Sequence, residues 1–327
     1  MTISDKTNKT SISQNKNKLF SEKTKRLLFY ILTIAPLILQ VCIFYIYVNI
    51  SNISLSFLKY EQIIGVGTVS KFAGLENFRH VLNDLFSPDK IYMFRISFIM
   101  YGAVFFIATP FSIIFSFYIY KKFPLSGIFR TILFFPQIIS TVVMSMMFRY
   151  LLNDVYMQIT GAQFGLLNEL NGSPSTILTC VIFYNVWMGF GANILLASGA
   201  MSGINESVVE SCHLDGCNTI QEFIYITLPS IFPTITTFVI IDIAAIFSNQ
   251  MNLYTFYGRS APEGIWSIGY YLYVNTVASQ GLTSVGGGNG LLLYPEISAL
   301  GLMITLVILP LTFTVRKLFT KFGPSVD

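Results

Sequence analysis

ESCHLDGCNTIQEFIYITLPSIFP, residues 210–233, is a short polar segment between stretches that are too apolar to lie in water. Asn205, just before it, is a suitable N-cap for a first helix, and Gly216 can adopt the left-handed conformation that ends such a helix. The residues Thr219 to Glu222 have the pattern of a capping box that opens a second helix. The segment therefore predicts two short helices joined at a glycine.

Apolar residues recur at helical spacing along one face of the predicted second helix: Ile220, Phe223, Ile224 and Leu228. Pro229 and Pro233 mark the point at which this helix gives way to the next apolar run. An apolar face that lies outside a bilayer indicates a protein partner.

The whole chain is too apolar for a water-soluble protein. Of its 327 residues, 53% are hydrophobic and 11% are charged, whereas soluble domains contain about 25% charged residues. Stretches with at most one charged residue, long enough to cross the hydrocarbon layer, recur along it. They predict an all-α integral membrane protein with six transmembrane helices, at residues 27–50, 96–120, 131–148, 176–200, 231–257 and 297–315.

The predicted orientation follows from lysine and arginine, which are enriched on the cytoplasmic side of membranes. Seven of them lie in the polar tail 1–26, three in the loop 121–130 and three near the C-terminus. Both ends of the chain, including 320–327, are therefore expected in the cytoplasm, and the net charge of +4 reflects topology rather than nucleic-acid binding. The loop 51–95 is expected outside. The charge-free but polar stretch 264–282 is expected to be re-entrant or extracytoplasmic.

In this topology the core, 96–319, contains one cytoplasmic loop without lysine or arginine, the loop 205–229, which we name the elbow. It resembles the Glu-Ala-Ala-x-x-Asp-Gly-Ala…Ile-x-Leu-Pro loop of binding-protein-dependent ABC importer permeases, in the maltose-type carbohydrate family. Supporting similarities occur at Gly74 to Phe78, Arg130 to Pro136 and Gly165 to Asn168, and the likeness runs from about residue 27 to 319. The matching or substituted positions are Glu210, Ser211, Cys212, Asp215, Gly216, Cys217, Phe223, Leu228 and Pro229.

The resemblance implies that the elbow docks in a groove of a cytoplasmic ATPase and relays its opening and closing to the spans. Glu210 and Asp215 could accept charge-assisted hydrogen bonds from the partner. Ser211, Cys212 and Cys217 replace the alanines of the family, but they are also small, so close packing is retained.

Other chemistry in the chain is weakly supported. Cys212, His213 and Cys217 invite a metal site, but the zinc pattern requires closer pairs and a fourth ligand, so they are interpreted as packing residues. Cys42 and Cys180 lie within predicted spans, and no disulfide framework is indicated. The sequence has no phosphate-binding Gly-x-x-x-x-Gly-Lys-Ser/Thr loop and no convincing catalytic set, so the chain is not expected to be an enzyme.

The main alternative is an ion-coupled secondary transporter. Asp242 lies within a predicted span, where an ionisable side chain suggests a functional site. Secondary transporters, however, usually have more spans, arranged as repeats. Six spans with a docking elbow fit half of a two-permease pore better.

The substrate pathway is predicted on two helix faces. Asn185, Gly189 and Ala192 share a face of the span before the elbow, because they are four and then three residues apart. The span after the elbow is expected to present a second face with Asp242, Ala245, Asn249 and Asn252. Amides at membrane depth must be satisfied by a neighbouring span or by a polar cavity.

Counted without gaps from Glu210, three positions coincide with positions that line the sugar pocket of the maltose-type permease: Asn185, Gly189 and Asn249. Ala192 and Ala245 stand where that family has larger aromatic groups, which leaves the identity of the sugar open. The same amides could instead hold helices together.

The resemblance thus implies a multi-pass permease in the plasma membrane of a prokaryote, forming half of a heterodimeric pore. The implied partners are a second homologous permease, two ATPase subunits, an extracytoplasmic sugar-binding protein and the membrane lipid. The chain itself is expected to bind no metal and no cofactor, because ATP and magnesium would be bound by the ATPase subunits.

Overall fold

The computed structural model describes residues 24–63, 67–88, 90–168, 173–284 and 290–324. The chain divides into two compact units, Met1–Leu55 and Ser56–Asp327. The described part of the first unit is helix α1, Thr24–Ser56, which ends one residue into the second unit and winds more loosely at Val41–Tyr47. It contains the predicted span 27–50. The predicted tail 1–26 lies outside the described residues, except for its last three.

The described part of the second unit is mostly helical. In chain order it contains β1 (Leu58–Ile63), β2 (Gly67–Phe72), α2 (Glu76–Leu85), α3 (Tyr92–Tyr120), α4 (Ser126–Ile138), α5 (Thr141–Thr160), α6 (Pro174–Ser202), α7 (Glu206–Leu214), α8 (Thr219–Ser230), α9 (Phe232–Ala245), α10 (Leu253–Tyr257), α11 (Ile268–Ser284) and α12 (Gly290–Phe322).

Among the described residues, four helices are long and apolar enough to cross a membrane, namely α1, α3, α6 and most of α12. Two further helix pairs have the necessary length and composition together but are bent, α4 with α5 by 102° and α8 with α9 by 66°. The described part of the chain therefore has four candidate spans, or up to six if each bent pair crosses as one.

The predicted continuous helix 131–148 is wrong, because it contains the break between α4 and α5. Ile139 and Ser140 have extended backbone conformations, with ψ of 143° and 131°. Pro136 lies inside α4 shortly before the break. Proline has no backbone N–H group, so it cannot donate the backbone hydrogen bond that a continuous helix requires at this position.

The predicted continuous helix 231–257 is also wrong. Helix α9 begins at Phe232, after a bend at Ile231, and ends at Ala245. A turn follows in which Met251 and Asn252 have positive φ angles of 50° and 58°, and it leads into the short helix α10.

The described structure is not all-α, since the predicted loop 51–95 contains an antiparallel hairpin. Leu58 of β1 pairs with Phe72 of β2. The buried side chain of Asn77 on α2 donates hydrogen bonds to the carbonyls of Ser56, at 2.8 Å, and Leu58, at 2.6 Å. These bonds fix the hairpin to α2, which packs in turn against α12.

The stretch 264–282, expected to be re-entrant or extracytoplasmic, contributes most of helix α11, which packs against α12. At 17 residues, α11 is not among the candidate spans.

The largest buried cluster joins α3, α5, α6 and α10. Met100, Phe148, Tyr184 and Phe256 are each at most 8% exposed, and the rings of Tyr184 and Phe256 meet edge to face with centroids 4.8 Å apart. Burial of these large side chains fixes α6 against the segment that follows α9. The two predicted pathway faces are brought together in this way.

Candidate functional site

A cavity of 220 Å³, lined by both polar and apolar side chains, lies between α3, α6 and the end of α9. The residues that line it are Tyr101, Val104, Asn185, Met188, Gly189, Asp242, Ala245, Asn249, Met251 and Asn252. Six of the seven predicted pathway residues are therefore brought together. Ala192 is the exception, since it is exposed on α6 and does not line the cavity. Asn249 and Asn252 reach the cavity from the turn beyond α9, and not from one helix face as predicted.

Asn185 holds that turn against α6. Its Nδ2 atom donates to the carbonyl of Val181 on its own helix, at 2.8 Å, and to the carbonyl of Met251, at 2.9 Å. Its Oδ1 atom accepts a hydrogen bond of 2.8 Å from Nδ2 of Asn252. Three hydrogen bonds therefore occupy most of the capacity of this amide, and they give Asn185 and Asn252 a structural role.

Asn249 presents its side chain differently. Its Oδ1 atom accepts a hydrogen bond from the backbone N–H of Met251 at 2.8 Å, which closes the turn, and the residue is exposed. Its Nδ2 atom has no hydrogen-bond partner within the described residues and can donate to a ligand in the cavity.

Gly269 of α11 is a residue of the site that sequence reasoning missed. A Cβ atom at this position would overlap the backbone of Ser248 and Asn249. Because backbone atoms cannot rotate away as a flexible side chain can, glycine is required for α11 to approach the turn this closely. A glycine within a helical pattern was the one available signal in the sequence.

Asp242 is the one charged residue among the described residues that line the cavity. It is half-buried, and its Oδ2 atom is buried without a hydrogen-bond partner in the described structure. A carboxylate oxygen in this state favours a ligand that donates a hydrogen bond, such as a hydroxyl group, or one that carries a positive charge.

The elbow forms the two predicted helices, α7 and α8. Asn205 caps α7, with its Oδ1 atom 3.1 Å from the backbone nitrogen of Ser207, and Gly216 has the predicted positive φ, at 80°. The predicted capping box at Thr219 to Glu222 is displaced by one residue. Asn218 is the N-cap, and it exchanges hydrogen bonds of 2.9 and 2.8 Å with Gln221.

The predicted docking residues Glu210, Ser211, Asp215 and Gly216 are all exposed on the elbow. Cys212 and Cys217 are not separate packing residues as expected. They are joined in a disulfide across the turn, with Cα atoms 5.3 Å apart. The left-handed Gly216 turns the chain back on itself and so brings the two cysteines together.

The apolar residues of α8 divide between two surroundings. Phe223 and Leu228 pack against the cluster formed by the end of α3 and the end of α6, and the rings of Phe223 and Phe117 have centroids 4.8 Å apart. Pro229 is half-buried. Ile220 is 69% exposed and Ile224 is also exposed. The predicted apolar face thus packs against α3 and α6 with Phe223 and Leu228 and leaves Ile220 and Ile224 exposed.

Glu222, which the sequence placed among the acids of the elbow, is fully buried, at 0% exposure. Its carboxylate oxygens lie 3.0 and 2.9 Å from Nζ of Lys121, and Oε2 lies 2.8 Å from Nε2 of His213. Burial alone would raise the pKa of this carboxyl group, but the hydrogen bonds from Lys121 and His213 outweigh burial and lower it. No local pattern in the sequence indicates this contact, because Lys121 lies 101 residues away.

Comparison with known proteins places these features in a family. Residues 108–327 match the family described as "Binding-protein-dependent transport system inner membrane component". The chain is 26% identical over 298 residues to the arabinooligosaccharides transport system permease protein AraP of Bacillus subtilis (strain 168). The matched region covers 88% of this chain and 87% of AraP.

A second relative is the maltose/maltodextrin transport system permease protein MalF of Vibrio vulnificus (strain YJ016). The chain is 28% identical to it over 200 residues, which cover 58% of this chain and 37% of MalF. The chain thus spans less than half the length of this relative.

The fold is shared with a solved structure of a bacterial alginate ABC transporter in complex with alginate pentasaccharide-bound periplasmic protein. The TM-score is 0.68 at 18% sequence identity, over 93% of this chain and 98% of the solved chain. The match over 108–327 includes the elbow, Asn185 and the turn at Asn249. The chain therefore belongs to the family of inner membrane components of binding-protein-dependent transport systems.

Proposed function

We propose that this chain is the permease subunit of an ATP-driven importer and forms half of the pore through which a sugar or oligosaccharide crosses the membrane. One observation carries the proposal: the elbow is the direct connection between α6 and α9, the two helices that supply most of the predicted pathway residues. A force applied to the elbow would act on both walls of the cavity through the continuous backbone.

The partners in this proposal are those of a binding-protein-dependent importer. The elbow, including α8, lies in the cytoplasm and docks on an ATPase subunit through its exposed acids and apolar residues. Both chain ends lie on the same side, and six spans cross the membrane, with α4 and α5 together as one of them and α9 with the turn after it as another. A second homologous permease completes a heterodimeric pore, two ATPase subunits bind ATP and magnesium, and an extracytoplasmic binding protein delivers the sugar. The chain itself needs no cofactor.

The chemistry of the cavity favours a neutral sugar. Amides can both donate to and accept from sugar hydroxyl groups, and Tyr101 offers a ring to an apolar sugar face. An acidic sugar would meet the carboxylate of Asp242 without a lysine, arginine or histidine among the described lining residues, and like charges repel. The names of the relatives AraP and MalF, which refer to arabinooligosaccharides and maltodextrin, agree with this class.

Within the cavity we assign direct contact with the sugar to Asn249 and Asp242. Asn249 has an unused amide donor, and Asp242 has an unpartnered oxygen. Asn185 and Asn252 are assigned to holding the turn, because their amides bond to each other and to the backbone.

The alternative function is ion-coupled transport with Asp242 as the coupling group, and the source of energy separates the two. Uptake of radiolabelled maltotriose and arabinotriose is measured in cells that express the complete importer, with a protonophore present and cytoplasmic ATP maintained. Uptake is expected to continue under these conditions and to stop when ATP is depleted.

The variant Asp242→Asn provides the second half of this test. In an ATP-driven importer it should retain accumulation against a gradient, with altered affinity for the sugar, because ATP still drives the cycle. Loss of accumulation in this variant, together with a protonophore-sensitive wild type, would establish the ion-coupled mechanism instead.

A further inference from the structure

The buried carboxylate of Glu222 joins three elements of the second unit. It lies on α8, it contacts His213 of α7, and both of its oxygens contact Lys121, which immediately follows the last residue of α3. The side chain of Lys121 is 19% exposed and that of Glu222 is 0% exposed. The pair is therefore shielded from water, unlike an ordinary surface ion pair.

Helix α3 has a different relation to the elbow than α6 and α9 have. Those two helices continue into the elbow through the backbone, whereas α3 is followed by the loop to α4 and meets the elbow through side chains. Yet α3 also lines the cavity, with Tyr101 and Val104. From Tyr120 to Val104 the helix extends for about 24 Å at 1.5 Å per residue.

Two kinds of contact in the described structure join α3 to the elbow. The rings of Phe117 and Phe223 form an apolar contact that tolerates sliding, because dispersion forces have little directionality. The contact between Lys121 and Glu222 resists separation, because the fully buried carboxylate would lose the partner that contacts both of its oxygens and would keep only His213. His213 binds the same carboxylate and so fixes α7 to α8 at this point.

We propose that Glu222 is the positioning residue through which the elbow moves α3. The ion pair with Lys121 makes the cytoplasmic end of α3 follow the elbow, so that all three helices of the cavity respond to the ATPase together. The inference rests on the proposed function, since it assumes that the elbow docks on an ATPase.

The test uses the complete complex, with permeases, ATPase subunits and binding protein, reconstituted in liposomes. Three quantities are measured: co-purification of the ATPase subunits, ATP hydrolysis, and uptake of maltotriose or arabinotriose per ATP hydrolysed. Glu222→Gln retains the size of the side chain and removes its charge. It should leave co-purification and basal hydrolysis unchanged and lower uptake per ATP about tenfold, within the usual range of coupling between sites.

Three further variants separate coupling from folding. Lys121→Met should reproduce the loss, and combining it with Glu222→Gln should add little, because both remove the same interaction. Lys121→Arg keeps the charge and should restore uptake per ATP. The neighbouring Lys122→Met should behave as the wild type, since Lys122 is exposed and has no ion pair within the described residues.

The outcomes distinguish the two levels of the proposal. Wild-type uptake per ATP in Glu222→Gln would overturn this inference alone, as would loss of ATPase co-purification, which would assign Glu222 to docking or folding. A wild-type complex that imports neither sugar at the expense of ATP would overturn the proposed function and this inference with it.

Discussion

Replacing Asn185 and Asn249 separately by alanine should produce two different defects, although both residues line the same cavity. Asn185→Ala removes three hydrogen bonds within the protein, to Val181, Met251 and Asn252. Asn249→Ala removes one, from the backbone of Met251, together with any bond that the free Nδ2 donates to the sugar. Each variant serves as the control for the other.

The expected magnitudes follow from these counts. Interhelical hydrogen bonds in membrane proteins contribute ~0.6 kcal/mol on average. Two of the bonds of Asn185, to Met251 and Asn252, join different elements, so Asn185→Ala should lower the free energy of unfolding by about 1 kcal/mol and Asn249→Ala by less. A loss of about 1 kcal/mol corresponds to a melting temperature about 2 °C lower for a chain of 327 residues. One or two bonds to the sugar, at ~0.5–1.5 kcal/mol each, would weaken the apparent affinity for sugar in Asn249→Ala about tenfold.

The assay measures both properties on the same preparations. Thermal unfolding of the purified complex gives the stability, and initial rates of maltotriose or arabinotriose uptake at several concentrations give the apparent affinity. Asn185→Ala should melt earlier with a nearly unchanged affinity at low temperature. Asn249→Ala should melt near the wild type and need more sugar for half-maximal uptake. The reverse pattern would refute the division of roles between the two amides, and a stability defect in both variants would assign both to holding helices together.

Two further predictions concern glycines. Gly216→Val should abolish uptake and leave membrane insertion intact, because the left-handed conformation costs a residue with a side chain about 1–2 kcal/mol and a β-branched residue more. A Cβ atom at position 216 would meet no described atom within 4 Å, so the expected defect comes from the backbone conformation and not from a clash. Gly216→Asn, which tolerates the turn, should retain partial uptake, and normal uptake by the valine variant would contradict the coupling role of the elbow. Gly269→Ala should weaken the apparent affinity for sugar, because its Cβ atom would displace the turn at Asn249. Gly301→Ala is the control and should leave the affinity unchanged, since a Cβ atom there would meet no described atom within 4 Å. Equal kinetics of the two variants would show that the turn does not depend on the close approach of α11.

The sequence by itself determined the features that depend on local composition and local hydrogen bonding. Apolar runs of membrane-spanning length predicted where the long helices α1, α3, α6 and α12 lie, because backbone groups in an apolar stretch are satisfied within a helix. The cap at Asn205 and the left-handed Gly216 were predicted for the same reason, since each is decided by its neighbours in the chain. Asn185, Gly189 and Asp242 were placed in the cavity by helical spacing and resemblance.

Contacts between distant residues decided the rest. The run 231–257 has a composition that suits a continuous helix, but α9 ends at Ala245 and a turn follows. Asn249 and Asn252 reach the cavity through a turn that Asn185 holds.

Glu222 shows the difference most clearly. In the sequence it is one acid among several in a polar loop, but it is fully buried because α3 brings Lys121 to it from 101 residues away. The cost of burying a carboxylate depends on the charges around it, and these are fixed by the tertiary structure.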